Sequence, residues 1–209
     1  MHNSGRTLRT LVLAVTALAL FLGPRSAAAF DCSPAPQEGC RGTTRPLKSK
    51  LNLRNGVRPD RQKLVWKWFR GEETTIADYG DPTTTDDYAV CMYNGVDEVV
   101  YQSVVPAGAT CRGGKPCWKQ VGDRGFAFRD GQAHWDGITK VRLTRGEEGH
   151  ARIVIKGSGA NLNLTALPLG LPTAVQLQAT HGRCWEAFFS LDGARRNNET
   201  RFGGRSSLQ

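Results

Sequence analysis

The chain has 209 residues, 28 Lys and Arg against 19 Asp and Glu, and a formal net charge of +9. Apolar residues make up 39%, an ordinary globular share that excludes wholesale disorder, and the 24 glycines follow no three-residue period, which excludes collagen. Past residue 30 no apolar run is long enough to span a membrane, and the length suits one domain with a small appendage.

The first segment reads as an address. Arg6 and Arg9 precede the apolar run Thr10 to Leu22, and Gly23-Pro24 and the small residues Ser26 to Ala29 follow it. This is the pattern of a secretory signal peptide cleaved after Ala29, and the run falls short of the roughly 20 residues a span needs. Phe30 and Asp31 separate the small residues from Cys32, which argues against lipid attachment. Cleavage would remove Arg6, Arg9, Arg25 and no acid, leaving 180 residues with a side-chain charge of +6. The expected destination is secreted, periplasmic or cell-surface.

Residues 30–61 are rich in Pro, Gly and Arg and read as an irregular basic arm; residues 62–209 read as a β domain with a polar C-terminal tail. From Gln62 the periodicity is two. Leu64, Trp66 and Trp68 alternate with Val65, Lys67 and Phe69. Two apolar runs, Tyr88 to Tyr93 and Val99 to Val105, flank Asn94-Gly95, a hairpin signal, with Val96 to Glu98 lengthening the loop. Phe126 and Phe128 follow, then Val141 with Leu143 and Ile153 with Ile155, joined by the turn-rich Arg145 to Gly149. Val175 with Leu177 and the run Cys184 to Phe189 close the series. No segment holds helical periodicity, so the expected fold is all-β: an antiparallel sandwich or jelly roll of about ten short strands. The Lys and Arg alternating on several strands would protect sheet edges.

The six cysteines, Cys32, Cys40, Cys91, Cys111, Cys117 and Cys184, make an even number, and in an oxidising compartment disulfides are the default. No CxxC pair is present, which speaks against zinc. Six cysteines allow 15 pairings. Short, turn-rich spans favour Cys32–Cys40 and Cys111–Cys117, leaving Cys91 with Cys184; the rival set is Cys91–Cys111 with Cys117–Cys184.

Four sets of words stand out: Gly80-Asp-Pro82 with Tyr88 and Cys91-Met-Tyr93; Cys117-Trp118; Asp136-Gly137-Ile138 leading to Lys156-Gly-Ser-Gly-Ala-Asn-Leu162; and Val175-Gln-Leu177 leading to Cys184-Trp-Glu-Ala-Phe-Phe-Ser190. Together they resemble a family of secreted bacterial proteins with a Cys-containing all-β domain. The resemblance covers about residues 62–205. It implies secretion and a β domain with Cys91, Cys111, Cys117 and Cys184 as its framework. It brings no catalytic residue, and it leaves the arm with Cys32 and Cys40 outside.

Chemical motifs are sparse. His134 between Asp130 and Asp136 reads as part of a polar loop rather than a general base, and Glu186 lacks a partner carboxylate for glycoside hydrolysis. Gly157-Ser-Gly159 precedes no helix that could cradle a phosphate. The charge layout says more. Residues 45–70 carry nine Lys and Arg and one acid, whereas residues 71–98 carry eight acids and no Lys or Arg. Pairing of these adjacent blocks on the surface is the simplest expectation. The functional readings are a polyanion-binding arm and a calcium site at Asp78, Asp81, Asp86 and Asp87, where a hard cation would need converging oxygens. The five Trp read as core rather than as sugar platforms, with Trp66, Trp68 and Leu64 on one strand face. No cofactor is expected, and nucleic acid is disfavoured for want of interleaved exposed aromatics and bases.

Two function classes emerge: a secreted non-enzymatic β module, structural or binding a cell-surface glycan or polyanion, and a secreted carbohydrate-active hydrolase using carboxylates and exposed Trp.

Overall fold

A computed structural model describes Met1, residues 30–95 and residues 97–207. The signal-peptide expectation falls on residues that lie outside these. Fourteen strands and five short 3-10 turns make up the described secondary structure, with no α-helix among the described residues. The all-β, antiparallel expectation holds.

The strands are β1 (Ser49–Arg54), β2 (Lys63–Gly71), β3 (Tyr88–Tyr93), β4 (Val99–Val105), β5 (Thr110–Cys111), β6 (Lys115–Pro116), β7 (Trp118–Gln120), β8 (Gly125–Arg129), β9 (Ile138–Thr144), β10 (Ala151–Ser158), β11 (Thr173–Ala179), β12 (Cys184–Phe189), β13 (Ala194–Asn198) and β14 (Arg201–Arg205). The large sheet has eight strands in the order β13-β14-β1-β2-β10-β9-β8-β7, and the small sheet has four, β12-β11-β3-β4; β5 and β6 form a separate ribbon. Each ladder between these strands is antiparallel.

Period-two patterning fixes which side chains enter the core. Leu51 and Leu53 of β1, Leu64, Trp66 and Trp68 of β2, Val141 and Leu143 of β9, and Ile153 and Ile155 of β10 point inward from the large sheet and are buried. Tyr88, Val90 and Met92 of β3, Val175 and Leu177 of β11, and Trp185 and Phe189 of β12 meet them from the small sheet. The indole N–H groups of Trp66, Trp68, Trp118 and Trp185 find acceptors, as their polarity requires, whereas the buried Trp135 Nε1 has no partner among the described residues. Trp66 Nε1 donates to Ser49 Oγ at 2.8 Å, and Trp68 Nε1 crosses between the sheets to the Glu186 carbonyl at 2.9 Å. Trp118 Nε1 donates to the Pro106 carbonyl at 3.0 Å, and Tyr79 stacks on Trp185 at 5.0 Å.

The basic arm differs from expectation in two ways. Its second half is strand β1, inserted between β14 and β2 in the large sheet. Its first half lies as a strap over the outer face of the small sheet. There Cys32 bonds to Cys91 and Cys40 to Cys184, so the expected local bridge Cys32–Cys40 and the bridge Cys91–Cys184 do not form. Cys111–Cys117 does form. The short span between Cys32 and Cys40 favours closure only if the arm is autonomous, and here the sheet itself supplies the partners. Gln176 and Gln178 of β11 are wholly buried under the strap and act as its backbone receptors. Gln178 Oε1 accepts Ser33 N–H at 3.0 Å, Gln176 Oε1 accepts Gln37 N–H at 2.9 Å, and Gln176 Nε2 donates to the Gln37 carbonyl at 2.9 Å. Arg41 then runs parallel beside Trp185, its N–H donating to the Cys184 carbonyl.

Candidate polyanion-binding face

The strap covers one outer sheet face and leaves that of the large sheet open. Register decides what stands on it, because residues directly opposite in an antiparallel pair share a face. One row runs Arg205, Lys50, Lys67, Val154, Arg142, Ala127 and Lys119 across seven strands. The next runs Arg196, Gly203, Asn52, Val65, Lys156, Lys140 and Arg129. A third holds Arg201, Arg54, Lys63 and Ser158. Arg152 stands opposite Phe69, with its guanidinium over the ring at 6.0 Å. These rows contain no Asp or Glu.

Like charges directly opposite one another destabilise a sheet. Lys50 faces both Arg205 and Lys67, Arg54 faces both Arg201 and Lys63, and Lys140 faces both Lys156 and Arg129. Burial, with the charges of Lys156, Arg129 and Arg142 adding to it, lowers the Lys140 ammonium below the ordinary lysine range. Edge protection does not account for these cations, since β2, β10 and β9 are interior strands.

Pairing between the adjacent basic and acidic blocks does not relieve the face either. Among the described residues, the ion pairs join Arg41 and Arg183 to Asp78, Arg58 to Asp60, and Arg145 to Asp123, with His134 beside Asp130 and His181 beside Asp86. None of these cations belongs to the three rows.

The rows enclose a trough of about 600 Å³. Gly203, Asn52 and Val65 form its floor on β14, β1 and β2. Lys50 and Arg205 stand along one side, and Arg54, Lys63 and Arg201 along the other. Arg195 and Arg196 close the end at β13.

The aspartates proposed for calcium do not converge. Asp78 Oδ2 accepts the Thr75 N–H and hydroxyl, each at 2.7 Å, while its Oδ1 takes the Arg41 guanidinium at 2.8 Å. Burial opposes its charge, but these donors outweigh burial and hold the carboxyl below the usual range. Asp81 accepts from Thr83 and Thr84, Asp86 from the Asp81 N–H, Thr85 and His181, and Asp87 from the Ala107 N–H. Each carboxylate thus faces proton donors belonging to its own loop or to Arg41, Ala107, Thr180, His181 or Arg183. No group of three potential metal ligands occurs among the described residues.

Of the features a hydrolase would use, one carboxylate pair is present, Glu72 and Glu186, which line a small cleft with Gly42, Thr43 and Ser207. Trp66, Trp68, Trp118 and Trp185 are buried, and Trp135 is half-buried, so exposed Trp platforms are absent from the described residues. His134 is exposed, and its backbone N–H donates to the buried Asp130, which caps the loop. Glu186 is only 8% exposed beneath the strap, where it accepts Gln176 Nε2 at 3.0 Å.

Burial raises the Glu186 carboxyl above the ordinary range; the Gln176 amide opposes this and Glu72 adds to it. A raised folded-state value means that the group's contribution to stability is complete below its unfolded pKa and is lost as pH rises through the folded one. Glu186→Gln is therefore expected to raise the melting temperature at pH 7, with the gain shrinking as the pH is lowered through the carboxylate range. A lower melting temperature at pH 7 would refute this reading of Glu186.

Comparison with protein-family models, with curated proteins and with solved structures finds no match for this chain.

Proposed function

We propose that this protein is a secreted, non-enzymatic β module that binds a polyanion on the open face of its eight-stranded sheet. The carrying observation is the set of opposed Lys and Arg rows that contain no acidic residue. Such a face costs the isolated fold stability and becomes favourable only against negative charge. The signal-like residues 1–29 and the resemblance to secreted bacterial proteins support export, and three disulfides fit an oxidising compartment.

Binding should be driven by counterion release. The logarithm of the association constant for a linear polyanion should then fall linearly with the logarithm of salt concentration. Titration of the protein against an anionic polymer from low to physiological salt tests this. A steep negative slope supports the proposal, and no binding at low salt overturns it.

A further inference from the structure

The form of the trough extends polyanion binding to a class of polymer, an inference that rests on the function proposed above. Its two cationic sides lie four residues apart along β1, roughly 13 Å at about 3.3 Å per residue. Its floor, Gly203, Asn52 and Val65, is uncharged and low. Gly203 leaves open space: a Cβ there would meet only Asn52 Oδ1, at 3.4 Å. The long axis therefore crosses the strands, with positive charge on both flanks and none underneath.

Such a channel suits one extended chain whose anionic groups project to both sides. A single-stranded nucleic acid instead needs platforms on which bases stack; Gly203, Asn52 and Val65 offer none, and Phe202, the one aromatic residue along the trough, belongs to the core and is only 2% exposed. A duplex is too broad to settle between the flanks. We infer that the trough receives a single linear acidic polysaccharide, bearing carboxylate or sulfate groups, laid perpendicular to the strands. The arginines on both flanks can fork onto such oxyanions.

Beyond the trough the floor row continues past Val65 to Lys156, Lys140 and Arg129, so there the cations stand beneath the path and not beside it. The chain thus enters over β8 and β9 and ends against Arg196. The path crosses six strands at about 4.8 Å spacing, so affinity should grow with oligomer length and level off at about six sugars, one per strand.

The experiment uses the full protein and three probe series: polyuronate oligomers, sulfated oligosaccharides, and single-stranded DNA of matched charge. Asn52→Trp and Val65→Trp each fill the floor without removing a cation, and Asn52 is exposed, so folding is not at stake there. Melting curves verify both variants, and either one that folds serves as the test. The expected result is tighter binding of one or both acidic saccharides than of DNA, with at least a tenfold loss in the variants. Whichever saccharide binds more tightly identifies the anionic group. Equal binding of DNA, or variants that bind like wild type, would overturn the inference while leaving polyanion binding intact. Failure of wild type to bind any probe would overturn both.

Discussion

Replacing Cys40 and Cys184 together by serine should cost on the order of 5 kcal/mol, the largest loss expected from any one bridge. The bridge joins residues 144 apart, and the chain-entropy model assigns about 5 kcal/mol to closing a loop of that size. The 59-residue separation of Cys32 and Cys91 gives about 4 kcal/mol, and the six-residue separation of Cys111 and Cys117 much less. The order of destabilisation should therefore follow sequence separation. The local consequence should differ as well. Without both long bridges the strap is held to the small sheet by contacts such as those of Gln176, Gln178 and Tyr93, whose hydroxyl donates to the Ser33 carbonyl at 2.9 Å. Denaturant unfolding of each pair variant, with hydrogen exchange on β11 amides, checks both points. Equal costs for all three bridges would contradict the strap arrangement.

The second large effect is opposite in sign for stability and binding. Lys50→Gln, Arg54→Gln and Lys63→Gln in combination remove three flanking cations and the like-charge oppositions Lys50–Lys67, Lys50–Arg205, Arg54–Arg201 and Arg54–Lys63. Free of ligand, this variant should be at least as stable as wild type, since each opposition is unfavourable. Its affinity for an acidic polymer should fall on the order of 100-fold, at about 1 kcal/mol per cation facing an anionic surface. The salt slope should drop by about three, one per lost contact. A variant that loses stability and binding together would show these side chains to be structural.

Much of the fold is readable in the residues because alternation is a direct record of burial. Leu64, Trp66 and Trp68 or Val175 and Leu177 can face one core only as strands. Strand β1 carries the same signal, Leu51 and Leu53 between Lys50, Asn52 and Arg54, but the surrounding Pro, Gly and Arg obscure it. Strands β13 and β14 are nearly all polar or glycine, with Phe202 the one buried apolar side chain, so periodicity has almost nothing to register.

The site is legible in part. The basic block 45–70 is visible as composition. Its meaning depends on β1 and β2 zipping in a register that places Lys50 beside Lys67 and Arg54 beside Lys63. Lys140, Lys156 and the arginines of β13 and β14 join only through tertiary pairing. The bridges are hidden for a similar reason. Nothing local marks Cys32 for Cys91, because the determinant is a buried glutamine pair on β11, more than a hundred residues away from the strap.

Backbone amide chemical-shift mapping, as an acidic oligosaccharide is added at low salt, locates the polyanion surface on the molecule. Binding on the open face of the large sheet should give the largest shifts on β14, β1, β2, β10 and β9, clustered around Gly203, Asn52, Val65 and Lys156, with the strap and β11 unmoved. Shifts centred instead on the strap or on the loop from Asp78 to Asp87 would contradict it.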